Sequence, residues 1–222
     1  MVDAPVAVYL EVAAKKVFAC ALDWPGWCRS GRTEEGALAA LADYAGRYAA
    51  VAARAGVPFP VDAGARFEVV QRLPGGSATE FGVPYEVAAA DAEPLTAPAA
   101  ARQAALVRAA WAVLDHTAAR SPPQLRKGPR GGGRDRDKML DHVLAAEAAY
   151  ARKIGVRHKP PAVGDTAAIT ALRDDLVAVL SEPSDGTPLV PKGWPPRYAA
   201  RRIAWHVLDH AWEMADRREP AG

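Results

Sequence analysis

A chain of 222 residues, half of them apolar, can bury a sizeable core as one large domain or two small ones. Its charged share of 24% is ordinary, and a formal net charge of +2 is too small to announce a nucleic-acid or membrane partner. No apolar run approaches the ~18–20 residues that span a bilayer, and the acidic start MVDAPV is unlike a signal peptide, so the chain reads as cytoplasmic. In that compartment Cys20 and Cys28 are expected to stay reduced. Their C-x7-C spacing fits no zinc pattern, and they read as small apolar residues in a strand and a turn.

Two strands open the chain, at 6–12 and 17–22, joined by a turn at 13–16. The breaker Trp24-Pro25-Gly26-Trp27 follows. A helix then starts after Thr33, whose hydroxyl caps free backbone N–H groups while Glu34 and Glu35 sit favourably in the first turn. Leu38, Leu41, Tyr44, Ala45, Tyr48 and Val51 recur at helical spacing as its buried face, and Gly56, Pro58 and Pro60 end it. Two further strands are expected at 66–73 and 81–88, either side of Pro74-Gly75-Gly76. Residues 1–92 thus read as a small α+β domain.

Residues 93–222 read as an all-α domain, a bundle of four amphipathic helices. The helix at 97–119 carries Leu106, Val107, Ala110, Val113, Leu114 and Thr117 on one face. The next, at 135–154, carries Met139, Val143, Ala146, Tyr150 and Ile154. A third starts near Asp165, a good cap, and carries Ile169, Leu172, Leu176, Val179 and Leu180. The last runs over 196–218, with Pro196 suited to a first turn. The Pro/Gly-rich basic segment 121–134 between the first two reads as a solvated, mobile connection.

The last helix holds the informative pair, His206 and His210. At ~100° per residue, Ala199, Ile203, His206, His210 and Met214 share a sector under ~90° wide. Two imidazoles in a buried stripe leave polar nitrogens unsatisfied, at about 1–3 kcal/mol each. A divalent metal removes that cost, because neutral imidazole is a good ligand. Glu213 follows on the same edge as a third ligand, a partner to a ligand or a general base. His142 is the natural third histidine, although it stands ~100° from the centre of the apolar stripe of its helix. Glu147 lies closer to that stripe, as a buried acid near the site. Tyr198, Arg201 and Arg202 precede the histidines and are candidates to anchor an acidic substrate. His116 and His158 read as surface residues. Trp205 and Trp212 lie on a second face, nearly opposite the histidines. A helix apolar on two sides must bury both, so this face is expected to pack on the N-terminal domain or on a second subunit of a homodimer.

The segments DHVLAAEAAYARKIG and RRIAWHVLDHAWEMADR make residues 95–218 resemble the DinB/YfiT-like metal-binding four-helix proteins. That resemblance implies a site of His142, His206 and His210 holding zinc, nickel or another divalent ion with open coordination positions. It also implies a thiol-dependent transferase, or a hydrolase, acting on a small-molecule substrate. The Ala-, Arg- and Gly-rich composition suggests a GC-rich genome and mycothiol as the low-molecular-weight thiol. Metal activation of a thiol or water nucleophile, with Glu213 or Glu147 moving a proton, is the mechanism expected. Residues 5–90 are similar to HicB-like antitoxins through Pro25-Gly26, Gly31, Thr33 and Glu35, with Gly36 a departure. No helix-turn-helix or ribbon-helix-helix pattern accompanies them, and the basic segment lacks an aromatic residue for base stacking, which argues against a nucleic-acid partner. The competing expectation is a non-catalytic metal-binding or HicB-like interaction protein.

Overall fold

The structure, a computed structural model, describes residues 4–127 and 132–218. Its N-terminal half is a four-stranded mixed sheet with helices, and its C-terminal half contributes four longer helices. The strands are β1 (Val6–Val12), β2 (Val17–Ala21), β3 (Cys28–Gly31) and β4 (Phe67–Pro74), in the order β3-β2-β1-β4. β1 is antiparallel to β2 and parallel to β4. Strand side chains alternate between faces. Val6, Val8, Leu10, Val17, Ala19 and Ala21 join the core that α1 (Glu34–Asp43) and α2 (Ala45–Arg54) also enter. Tyr9, Phe18, Cys20 and Cys28 form a second cluster on the opposite face.

Thr33 caps α1 as expected, its Oγ1 accepting from Gly36 N at 3.0 Å. The single helix expected from Thr33 onward is two, broken at Tyr44 (φ −91°, ψ 1°). At the break the Tyr44 ring packs on the Arg29 guanidinium at 4.1 Å and on Trp212 at 5.1 Å. Cys28 lies in β3 rather than in a turn. The strand expected at 81–88 is absent. A short α3 (Ser77–Phe81) ends at Gly82, whose φ of 107° suits glycine, and Pro84 follows. The buried Glu11 carboxylate takes the N–H groups of Tyr85 and Glu86 and the Thr79 hydroxyl, so those amides have no strand to pair with.

The C-terminal helices are α4 (Ala97–Ala119), α5 (Arg136–Ala151), α6 (Thr166–Leu180) and α7 (Pro196–Arg217). Thr96 and Asp165 cap α4 and α6. α4 packs on α7 and α6, and α5 packs on the same two helices. Among the described residues no helix is long and apolar enough to cross a membrane.

α7 is buried on nearly every side, so it is the central element. Its tryptophan face packs on the N-terminal half of the same chain, Trp205 edge-on to Phe18 at 6.3 Å and Trp212 against Tyr44. The turn at Gly26 docks on α7 as well. A Cβ there would lie 2.7 Å from Leu208 Cδ1 and 3.0 Å from the Ala204 backbone, and φ is +92°, so glycine is required twice over. One continuous core therefore runs from the sheet through α7 into the bundle.

The connection between α4 and α5 is anchored where it is described. Leu125 is buried, Arg126 N–H donates to Arg217 O at 3.0 Å, and Arg217 Nε returns a bond to Arg126 O at 2.8 Å. This corrects the expectation of a freely solvated segment for residues 121–127. Gly128 to Gly131 lie outside the described residues.

Candidate metal centre

Antiparallel packing of α5 on α7 brings three imidazoles together. His142 is half-buried on α5, and His206 and His210 are buried on α7. His142 Nε2 and His206 Nε2 are 3.1 Å apart. The ring centroids are separated by 4.9 Å for 142–206, 5.0 Å for 142–210 and 4.7 Å for 206–210. One ligand atom from each ring lies within 4.8 Å of the other two. Among the described residues this is the one group of three or more His, Cys, Asp or Glu side chains so placed.

The helical wheel alone set His142 at the edge of the α5 stripe. The structure resolves this: α5 packs on both α6 and α7, and His142 faces α7 while Met139, Val143 and Ala148 fill the core.

The three imidazoles could hold a divalent ion, and the His142–His206 pair already has the separation of two ligands. Nitrogens bound at ~2.0–2.1 Å in cis or tetrahedral positions lie about 3.0–3.4 Å from each other, and 3.1 Å falls in that range. Burial pushes His206 well down, and the neighbouring His210, His142, Arg202 and Arg134 charges push the same way. His142 is lowered chiefly by burial, then by Arg134 and His210. Both rings are therefore held neutral, the state that ligates metal. His206 Nδ1 is buried without a hydrogen-bond partner among the described residues, and its ring packs edge-on to Tyr150 at 5.7 Å.

His210 is oriented by a hydrogen bond. Its Nδ1–H donates to Glu213 Oε2 at 3.1 Å, leaving Nε2 free as the ligand atom. The other Glu213 oxygen accepts from Arg217 Nη1 at 2.7 Å. The His210 hydrogen bond, then Arg217, hold the Glu213 carboxyl below its usual range. Glu213 thus joins the histidines as a group that fixes a ring, bonded onward to Arg217 and the chain at Arg126.

Glu147 does not join them. Five residues after His142 it points ~140° round α5, where it is buried and accepts from Arg173 Nε of α6 at 3.3 Å. Tyr198 donates its hydroxyl to Tyr85 O at 2.8 Å. Arg201 is consumed by a buried ion pair with Asp91 and a bond to Tyr9 Oη at 3.0 Å. Arg202 alone of these three stands beside the site. Its Nη2 donates to Tyr150 Oη at 3.2 Å, it stacks between Tyr150 and Trp205, and its Nε and Nη1 have no partner among the described residues. His116 is exposed, and His158 pairs with Asp175 at 2.7 Å, both away from the cluster.

Sequence reasoning missed Arg217, Tyr150 and Arg134 at this site. Only Arg217 left a signal, the i, i+4 spacing from Glu213.

A scan against known protein families and searches of curated proteins and of solved structures give no match to this chain.

Proposed function

We propose that this chain is a divalent-metal protein, zinc or nickel being the ions best suited, whose site activates a thiol or water nucleophile against a small-molecule substrate. The observation that carries this reading is the convergence of His142, His206 and His210 from two helices. An ion held by three neutral imidazoles keeps its full charge and open positions, and supplies the Lewis acidity that makes a thiol or water nucleophilic near neutral pH. The order of the ligands, one on the second bundle helix and an H-x3-H on the last, supports a DinB/YfiT-like identity for residues 93–222. The same likeness supports a low-molecular-weight thiol such as mycothiol as co-substrate.

Within this reading Glu213 is a positioning residue. It is committed to His210 and Arg217 and held ionised, so its work is to aim the His210 ring rather than to carry a proton. Glu147, turned toward α6, supports the bundle. Arg202 is the positive charge placed nearest the histidines to attract an acidic group of substrate or thiol, although its Nε and Nη1, without an acceptor among the described residues, are buried. Tyr198 and Arg201 instead tie α7 to the N-terminal half. That half, HicB-like in pattern, serves as the wall against which α7 is packed.

Cobalt(II) titration of metal-stripped protein tests the reading. A saturable visible spectrum that shifts on addition of 2-mercaptoethanol or azide supports an open, reactive site. A cobalt spectrum that neither reagent alters would assign the chain to the non-catalytic class.

A further inference from the structure

The two cysteines take no part in the metal cluster, yet they are placed for chemistry of their own. β2 and β3 are antiparallel, and Ala21 N–H donates to Trp27 O at 3.0 Å. That bond makes 21 and 27 a hydrogen-bonded pair, so the next pair along, Cys20 and Cys28, is a non-hydrogen-bonded one. At such positions Cα atoms approach to ~4.5 Å and both side chains rise from the same face. A disulfide spans Cα separations of about 4.4–6.8 Å, so no backbone movement is needed to join them. The two Sγ atoms already face each other at 2.6 Å as free thiols.

The pair lines a small cavity with Tyr9, Arg201, Arg202 and Trp205, of about 20 Å³. That is room for roughly one water-sized molecule. A void of that size favours a small oxidant over a bulky disulfide reagent.

We propose that Cys20 and Cys28 are a disulfide-forming pair whose oxidant is hydrogen peroxide. One thiol sulfur attacks a peroxide oxygen, the O–O bond breaks, and a sulfenic acid and water result. The second thiol sulfur then displaces the hydroxyl, the S–S bond forms, and a second water leaves. Both thiol hydrogens end in water, and two electrons pass from sulfur to peroxide. Burial pushes the Cys28 thiol well up, so closure is slow beside that of an exposed thiolate. Closure ties β2 to β3 on the sheet face that supports Trp205, the chain neighbour of His206.

Both cysteines fall in one tryptic peptide, 17–29. The full chain, purified under reducing conditions, is treated with hydrogen peroxide, denatured without reductant, alkylated and digested. The expected peptide is two hydrogens lighter, carries no alkyl group, comes from monomeric chain, and regains two alkylatable thiols after reduction. The Cys20→Ser variant, treated alike, gives no such product. A peptide that takes two alkyl groups after peroxide, or gains oxygen or a bond to a second chain instead, overturns the proposal.

Discussion

His142 on α5 and His206 on α7 turn their Nε2 atoms toward each other across the helix pair, 3.1 Å apart. This arrangement points two imidazole nitrogens at one another between the helices, the approach that two ligands of one ion make.

Replacing His206 by leucine separates metal binding from stability. The unpaired Nδ1 costs the fold about 1–3 kcal/mol, so the metal-free variant is expected to unfold at the same denaturant concentration as wild type or a higher one. Its metal affinity falls by more than the 10–100-fold typical of a lost supporting residue. Urea titration with a chelator present, beside metal titration, checks both. A metal-free variant that is markedly less stable, with affinity intact, contradicts the assignment.

Glu213→Gln acts through His210. The amide is a poorer acceptor for the Nδ1–H and breaks the ion pair to Arg217. Metal affinity is expected to drop about 10–100-fold, with the ligands unchanged by spectroscopy. Glu213 would instead be a ligand if the cobalt spectrum of the variant changed its coordination pattern.

The period of the bundle helices was legible in the sequence. The expected 97–119 helix is α4, and the apolar stripe of α7 placed His206 and His210 correctly. The two-faced burial of α7 was legible for the same reason, from tryptophans seven residues apart. Other features depend on partners distant in sequence. β3 is four residues, CRSG, with no apolar alternation to reveal it. Tyr44, where the helix breaks, packs on Arg29 and Trp212, and the irregular path through Tyr85 is held by Glu11. A helix packed on two neighbours has no single buried stripe, so the α5 wheel underrated His142 and drew Glu147 toward a site it does not reach.

Glu147 predicts a pH dependence of stability. Burial pushes its carboxyl up, partly offset by Arg173. The folded state then binds more protons than the unfolded one between the unfolded pKa, ~4.3, and the raised folded value. Its contribution to stability is present below ~4.3 and is lost as pH rises through that window. Glu147→Gln removes this dependence, so the variant should gain on wild type as pH rises above ~4.3 in urea titrations. Parallel curves for the two proteins would contradict the account.

The Arg201–Asp91 pair pins α7 to the N-terminal half, with both groups buried. Asp91→Ala leaves a buried guanidinium and is expected to cost about 3–5 kcal/mol. The double variant Arg201→Met/Asp91→Leu should recover most of that loss in the same denaturation assay. A single variant within about 1 kcal/mol of wild type would show that the pair does not hold the halves together.

The central claim is tested most directly by the metal content of protein purified without an affinity tag. Elemental analysis of the wild type should find a divalent metal in stoichiometric amount. The His206→Ala/His210→Ala double variant, folded by circular dichroism, should carry none. Stoichiometric metal persisting in that variant would contradict the assignment of the site.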